Sequence, residues 1–400
     1  MIKKLVYTWI YGKLFDEPQN LFVQIKYYNS PPHLENPQVE PSAGGWGEVF
    51  NFSVNVWDMQ GDNVSVYAWW AYPGKAWILT GSTLVENAPT TAPGKLVNFT
   101  KTYSCPLTIE GTDYYPPFTL QYKFNATDQA GLPTSTDTYY FDIEKDDVVV
   151  YNITPAPNTI VNRTQATSFL ARVVDTDRNV NVSNVVELGR IYISFYGSND
   201  TFDSPAKLTS DSTGVINRTM RNIDWCNEPR YYLGKNYWKA SSEHICYKDY
   251  YTDIVPFYLY GQLYATLYKP DSTQNFTIGD DISFNGSVVD DCNKKGPDVG
   301  AKVIFRLQNG NYVVNLVASI TLGYYTATWT PPADAPLGWY NVTMIAYGDN
   351  YWNGTAFRKN AFFLASIPKL DNAQVTPQAD GWGKSPFNFT VYVTDEDNDT

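Results

Sequence analysis

The sequence predicts an all-β protein built of β-sandwich domains in series. Three observations carry that prediction. Short segments alternate apolar and polar residues, with turn-forming residues at regular intervals between them. No stretch sustains the 3.6-residue apolar period of a helix. A long internal repeat shows that the chain is modular.

The repeat sets the domain plan. Residues 1–49 align without a gap on 337–385, at an offset of 336. Tyr11 and Gly12 match Tyr347 and Gly348, Leu34 matches Leu370, Asn36 matches Asn372, and Gly45-Trp46-Gly47 matches Gly381-Trp382-Gly383. One inserted residue, Pro386, brings FNFSVNVWD onto FNFTVYVTD. Residues 1–33 therefore read as the closing strands of a domain whose full copy spans 270–368. Residues 369–400 read as the opening strands of a domain whose full copy spans 34–145. The expectation is a segment of a longer array, with Met1 internal to it.

Taken in order, 34–145 offers strands at 49–57, 63–72, 95–103, 118–127 and 138–144, punctuated by turns such as Tyr72-Pro73-Gly74. Strand–turn spacing over about 110 residues is that of a β-sandwich. The second domain, 146–269, offers strands near 148–153, 167–175 and 190–196, then a long aromatic insertion at 224–252, then 255–268. The third, 270–368, contains ISFNGSVVD, AKVIFRL, YYTATW and WYNVTMIAYG. Joints are expected at 30–34, 145–148, 269–271 and 367–369. They are short, which limits freedom between neighbours.

Composition excludes several classes. Lys plus Arg number 29 against 41 Asp plus Glu, a net charge of −12. A nucleic-acid partner needs the opposite sign. With 43% apolar and 16% aromatic residues the chain can build cores, so global disorder is not expected. No run of about 18 apolar residues predicts a membrane span.

Asn-x-Ser/Thr occurs fifteen times, at Asn51, Asn63, Asn98, Asn125, Asn152, Asn162, Asn181, Asn199, Asn217, Asn275, Asn285, Asn341, Asn353, Asn388 and Asn398. In FNFSVNVW, Phe50, Phe52, Val54 and Val56 fall on one face and Asn51 on the other. Asn285, Asn341 and Asn388 have the same phase. N-linked glycans are the expectation, on the wet face of extracellular strands.

Four cysteines bound the covalent chemistry. Cys226 and Cys246 enclose 19 residues, and a disulfide between them is expected to pin the aromatic insertion. Cys105 and Cys292 are left as buried thiols or bridges to neighbouring chains. Acidic turns form a second cluster: Asp58 and Asp62, Asp175 and Asp177, and Asp395, Asp397 and Asp399. Closely spaced carboxylates can supply oxygen ligands to Ca²⁺, and Asp equally favours turns on its own account. Catalytic signatures are missing: no GxSxG elbow, no phosphate-binding glycine loop and no HExxH.

GGWGEVFNFSVNVWDMQGDNV and DGWGKSPFNFTVYVTDEDNDT resemble immunoglobulin-like repeats of archaeal cell-surface and S-layer-type glycoproteins. YYTATWTPPADAPLGWYNVTMIAYGDN is similar to the end of extracellular bacterial-type immunoglobulin-like domains. The resemblance implies tandem immunoglobulin-like sandwiches in an extracellular, glycosylated, non-enzymatic array: an S-layer, sheath or surface filament whose partners are copies of itself. It transfers no active site. The alternative is a surface adhesin or carbohydrate-binding protein that uses Trp69, Trp70, Trp77, Trp225 and Trp238 to stack on sugars.

Overall fold

The computed structural model describes residues 28–227, 231–379, 381–383 and 386–395. The first predicted partial domain, 1–33, therefore lies largely outside the described residues. Among those described, regular structure is almost wholly β, with one helix at Asn222–Asn227 and one 3-10 turn at Gly296–Val299. The chain forms tandem immunoglobulin-like β-sandwiches, as its alternating pattern predicts.

Alternation explains the first sandwich. In the strand Phe50–Trp57, the four inward residues Phe50, Phe52, Val54 and Val56 are fully buried, and every intervening residue is half-exposed. That strand lies between His33–Glu40 and Lys95–Lys101 in a three-stranded sheet. A six-stranded sheet covers it, built on Val64–Ala71, Phe118–Asp128 and Tyr139–Glu144. Phe52 and Phe141 meet edge to face across the gap, ring centroids 5.3 Å apart.

The second sandwich packs Val148–Thr154, Thr167–Asp175 and Val215–Met220 against Gly189–Ile193, Gly234–Ser242 and the first half of Val255–Lys269. The third packs Ile282–Asp290 and Tyr324–Trp329 against a five-stranded sheet centred on Lys302–Asn309, Gly338–Tyr347 and Gly354–Ala365.

The joint between the second and third domains differs from the expectation. It does not fall at 269–271. The strand Val255–Lys269 runs through it, placing Phe257 and Leu259 in the second core and Leu263 and Leu267 in the third. A nine-stranded sheet is thereby continuous across both domains. The region 224–252 is not an insertion either. Its strand Gly234–Ser242 lies between Gly189–Ile193 and Val255–Lys269, with Trp238 completely buried.

The repeat in sequence is a repeat in backbone. His33–Glu40 pairs with Phe50–Trp57 through a bulge between Glu35 and Gln38. Lys369–Thr376 pairs with Asn388–Thr394 through a bulge between Asp371 and Gln374, the same two positions 336 residues on. Asn36 and Asn372 sit inside these bulges with φ of 50° and 53°, a left-handed conformation that Asn tolerates better than most residues.

Trp238 packs on Phe169 and donates its indole N–H to the Pro155 carbonyl at 3.2 Å. Trp238→Ala is expected to cost the second domain about 3–5 kcal/mol. Urea unfolding checks this, as a fall in the midpoint of the transition that includes the second domain.

Candidate functional sites at the domain joints

The first joint is built by the repeated Gly-Trp-Gly motif. Trp46 projects from the first domain, and its indole N–H donates to the Cys246 carbonyl at 2.6 Å. Its ring meets Tyr247 edge to face at 5.3 Å, and the Arg178 guanidinium lies 5.0 Å from the ring centroid. Both glycines are dictated by this packing. A Cβ on Gly47 would stand 2.5 Å from the Arg178 guanidinium, on a residue already at φ +88°. A Cβ on Gly45 would stand 2.6 Å from the Asp146 carboxylate.

Arg178 ties two buried carboxylates together. It donates to Asp146 Oδ2 and Asp175 Oδ2, each at 2.6 Å. Burial, with the adjacent Asp175 charge, pushes the Asp146 carboxyl up to about 7 against the pull of Arg178.

The second joint is built on Arg163, with its side chain only 5% exposed. It forks onto both oxygens of Asp291, at 2.6 and 2.7 Å, and reaches Asp290 Oδ2 at 2.9 Å. Tyr351 donates to the same Asp290 oxygen at 3.1 Å. The Gln262 N–H donates to Asp291 Oδ1 at 2.9 Å. Burial alone would lower the Arg163 pKa, but the bonds and charges of Asp291 and Asp290 raise it above its ordinary value.

Both disulfides lie at these joints. Cys105 bonds Cys246, and Cys226 bonds Cys292. The expected Cys226–Cys246 pair is therefore wrong, and so are the expected thiols or inter-chain bridges at Cys105 and Cys292. The reason is geometric. Between Cys226 and Cys246 the chain runs along Gly234–Ser242, a nine-residue strand about 30 Å long. That strand separates its flanking cysteines to opposite poles of the second domain. Each then meets a cysteine of the adjoining domain.

The predicted calcium residues are placed as follows. Asp58 is fully buried, and its Oδ1 accepts the Gln60 and Asp62 amides, capping its own turn. Asp175 does the same for the Asp177 and Arg178 amides while pairing with Arg178. Asp395 accepts a hydrogen bond from Ser366. Asp397 and Asp399 lie outside the described residues. Asp177 has an oxygen within 4.8 Å of those of Glu48 and Asp146, and Asp175 adjoins Asp146 through their shared Arg178. Cys226, Cys292 and Asp291 also cluster, but their sulfurs are joined in the disulfide and are not thiolate ligands.

Asn98, Asn181, Asn199, Asn217, Asn275, Asn353 and Asn388 are exposed. Asn51, Asn63, Asn125, Asn152, Asn162, Asn285 and Asn341 are half-exposed, and Asn398 lies outside the described residues. Of the tryptophans proposed for sugar stacking, Trp69 is half-exposed, opposite Lys123 on the neighbouring strand. Trp70, Trp225 and Trp238 are buried in cores. Trp77 lies under the Lys123 ammonium, 4.4 Å from its ring centroid.

The second domain also carries a cleft of about 770 Å³ lined by Phe202, Asp203, Arg218 and Tyr231. Asp203 accepts the Tyr231 hydroxyl at 2.6 Å and the Ile193 amide at 2.8 Å, and it pairs with Arg218. The carboxylate is thereby fully engaged within the fold.

No protein-family model and no curated protein matches the chain. Among solved structures it is similar to the fibronectin(III)-like modules of Clostridium thermocellum CbhA, at 13% identity and a TM-score of 0.23, over 55% of this chain and 95% of that one. It is also similar to native E. coli alpha-2-macroglobulin, at 8% identity and a TM-score of 0.23, over 92% of this chain and 27% of that one. A third similarity is to latent PorU from Porphyromonas gingivalis, at 10% identity and a TM-score of 0.20, over 86% of this chain and 35% of that one.

Removing Arg163 would leave two buried carboxylates without their cation. Arg163→Met is expected to cost about 3–5 kcal/mol. Differential scanning calorimetry checks it, as a loss confined to the transitions of the second and third domains.

Proposed function

We infer that this chain is a structural module array of an extracellular surface assembly, an S-layer, sheath or filament, and that its task is mechanical. The observation that carries the reading is the placement of both disulfides. Each crosses a joint between domains, and none closes a loop within one. A cross-link so placed stiffens a series of domains and resists their separation. The buried Arg163–Asp290–Asp291 cluster and the strand shared by two sandwiches act in the same direction.

Disulfides persist in oxidising compartments, which supports an extracellular home. Among the described residues no helix is long and apolar enough to cross a membrane. None of the fourteen described sequon asparagines is buried, which supports N-linked glycans on the outer faces. The acidic turns at Asp58 and Asp175 enter this reading as turn caps, Asp175 also as a partner of Arg178.

The test is antibody labelling of native cells together with the intact mass of the isolated protein. Label on an ordered surface layer or filament, with a mass that falls on chemical deglycosylation, is the expected result. Label confined to the cytosol, or a mass equal to that of the bare polypeptide, would overturn the reading.

A further inference from the structure

Each of the three sandwiches ends one inner strand on a buried aspartate. Asp58, Asp175 and Asp290 stand six residues after the buried phenylalanines Phe52, Phe169 and Phe284, on the same inward phase. All three are at most 1% exposed. The Oδ1 of each accepts two amides of the turn that follows. The second oxygen is where they differ. Asp175 Oδ2 is held by Arg178, and Asp290 Oδ2 by Arg163 and Tyr351. Asp58 Oδ2 is buried and receives no hydrogen bond. The position of Arg178, three residues on, is Gly61 here.

A second buried carboxylate stands at the same pole. Phe52 meets Tyr122 across the core, ring centroids 5.4 Å apart. Six residues further along each strand lie Asp58 and Asp128, both on inward positions. The turn after Asp58 leads into Val64–Ala71, whose Val64 pairs with Asp128. Asp128 is 5% exposed; its Oδ1 accepts the Leu132 amide at 2.7 Å and its Oδ2 the Asn29 side-chain amide at 2.6 Å. Asn29 belongs to the link that enters the domain. Ser30 beside it donates to the side chain of Gln60, whose own amide Asp58 holds. The link thus joins the two aspartate turns. Asn29 Oδ1 is another buried oxygen with no donor. Among the described residues no lysine or arginine pairs with Asp58, Asp128 or the neighbouring Asp62.

We propose that this pole binds Ca²⁺, with Asp58 Oδ2, Asn29 Oδ1 and the Asp128 carboxylate as its protein ligands. The inference stands apart from the mechanical reading above. A buried carboxylate oxygen without a donor is costly, and two such carboxylates at one pole call for positive charge. A water would satisfy one oxygen and leave the charge. At the other two poles an arginine supplies that charge, and here the metal takes its place. The donors are all hard oxygens, which excludes the metals that prefer sulfur or imidazole. They are gathered from two strand ends and a link. Such a set suits the adaptable coordination of Ca²⁺ better than the near-octahedral shell of Mg²⁺. Binding would fasten the link at 28–30 to the first domain.

The test is calorimetric titration of the whole chain, freed of metal by chelation, with Ca²⁺ and with Mg²⁺. Saturable Ca²⁺ binding is expected, with Mg²⁺ weaker by at least about tenfold. Asp58→Asn, which keeps an oxygen to cap the turn, and Asp128→Asn are each expected to weaken it by at least about tenfold. With calcium chelated, Asp58→Asn is expected to melt no lower than the natural chain, since it removes an uncompensated buried charge. Asn29→Ala, in the link, is expected to weaken binding without touching a core strand. Glu48→Gln with Asp177→Asn, at the other carboxylate group, is expected to leave binding unchanged. Three outcomes would overturn the proposal: no saturable binding of Ca²⁺; binding unchanged in Asp58→Asn or in Asn29→Ala; or binding lost in the Glu48 and Asp177 double variant.

Discussion

Everything distinctive in this chain follows from how its domain joints are closed. A sandwich needs only its own apolar core, and each of the three here has one. Sandwiches joined by short links would still rotate against one another. In this protein a disulfide and a buried arginine–carboxylate cluster meet at each of the two joints of the 34–368 segment. Taking Arg163 and two aspartates out of water is costly, and only the forked geometry and the bonds from Tyr351 and Gln262 offset it. The Arg163 cluster specifies one relative orientation, because any other leaves charges unpaired. At the first joint Arg178, Asp146 and Asp175 all belong to the second domain, and Trp46 makes the crossing contacts. At the second joint the Cys226–Cys292 disulfide keeps the halves of the cluster together.

The second joint adds a backbone constraint to these. Val255–Lys269 is paired along nearly its whole length, with Gly234–Ser242 and Thr159–Asn162 at one end, Tyr351–Trp352 at the joint and Ile282–Asp290 at the other. Bending at the joint would break ladder hydrogen bonds in two domains at once.

Much of the fold was legible because a half-buried strand declares itself by alternation. Phe50–Trp57 and Phe118–Asp128 match their predicted spans within a residue. Ile78–Val85 did not declare itself, since most of its residues are exposed and no apolar face recurs. The joints were harder. Gly-Trp-Gly was visible as a repeat, but nothing local says that Trp46 reaches Arg178 and Cys246, 132 and 200 residues away. The cysteines misled for a related reason. Nearness in sequence suggests pairing, but a strand that crosses the domain carries near neighbours to opposite ends. The expected boundary at 269–271 falls at Lys269-Pro270-Asp271, just past the end of a strand. The true boundary lies inside a strand, where composition does not change.

The central claim is that the first and third domains are held in one fixed relation. Single-molecule energy transfer between dyes at Thr138 and Leu322, both exposed, measures it directly. With the disulfides intact, the account predicts one narrow distance population that persists across the accessible salt range. Several populations, or one broad distribution, in the oxidised protein would contradict it.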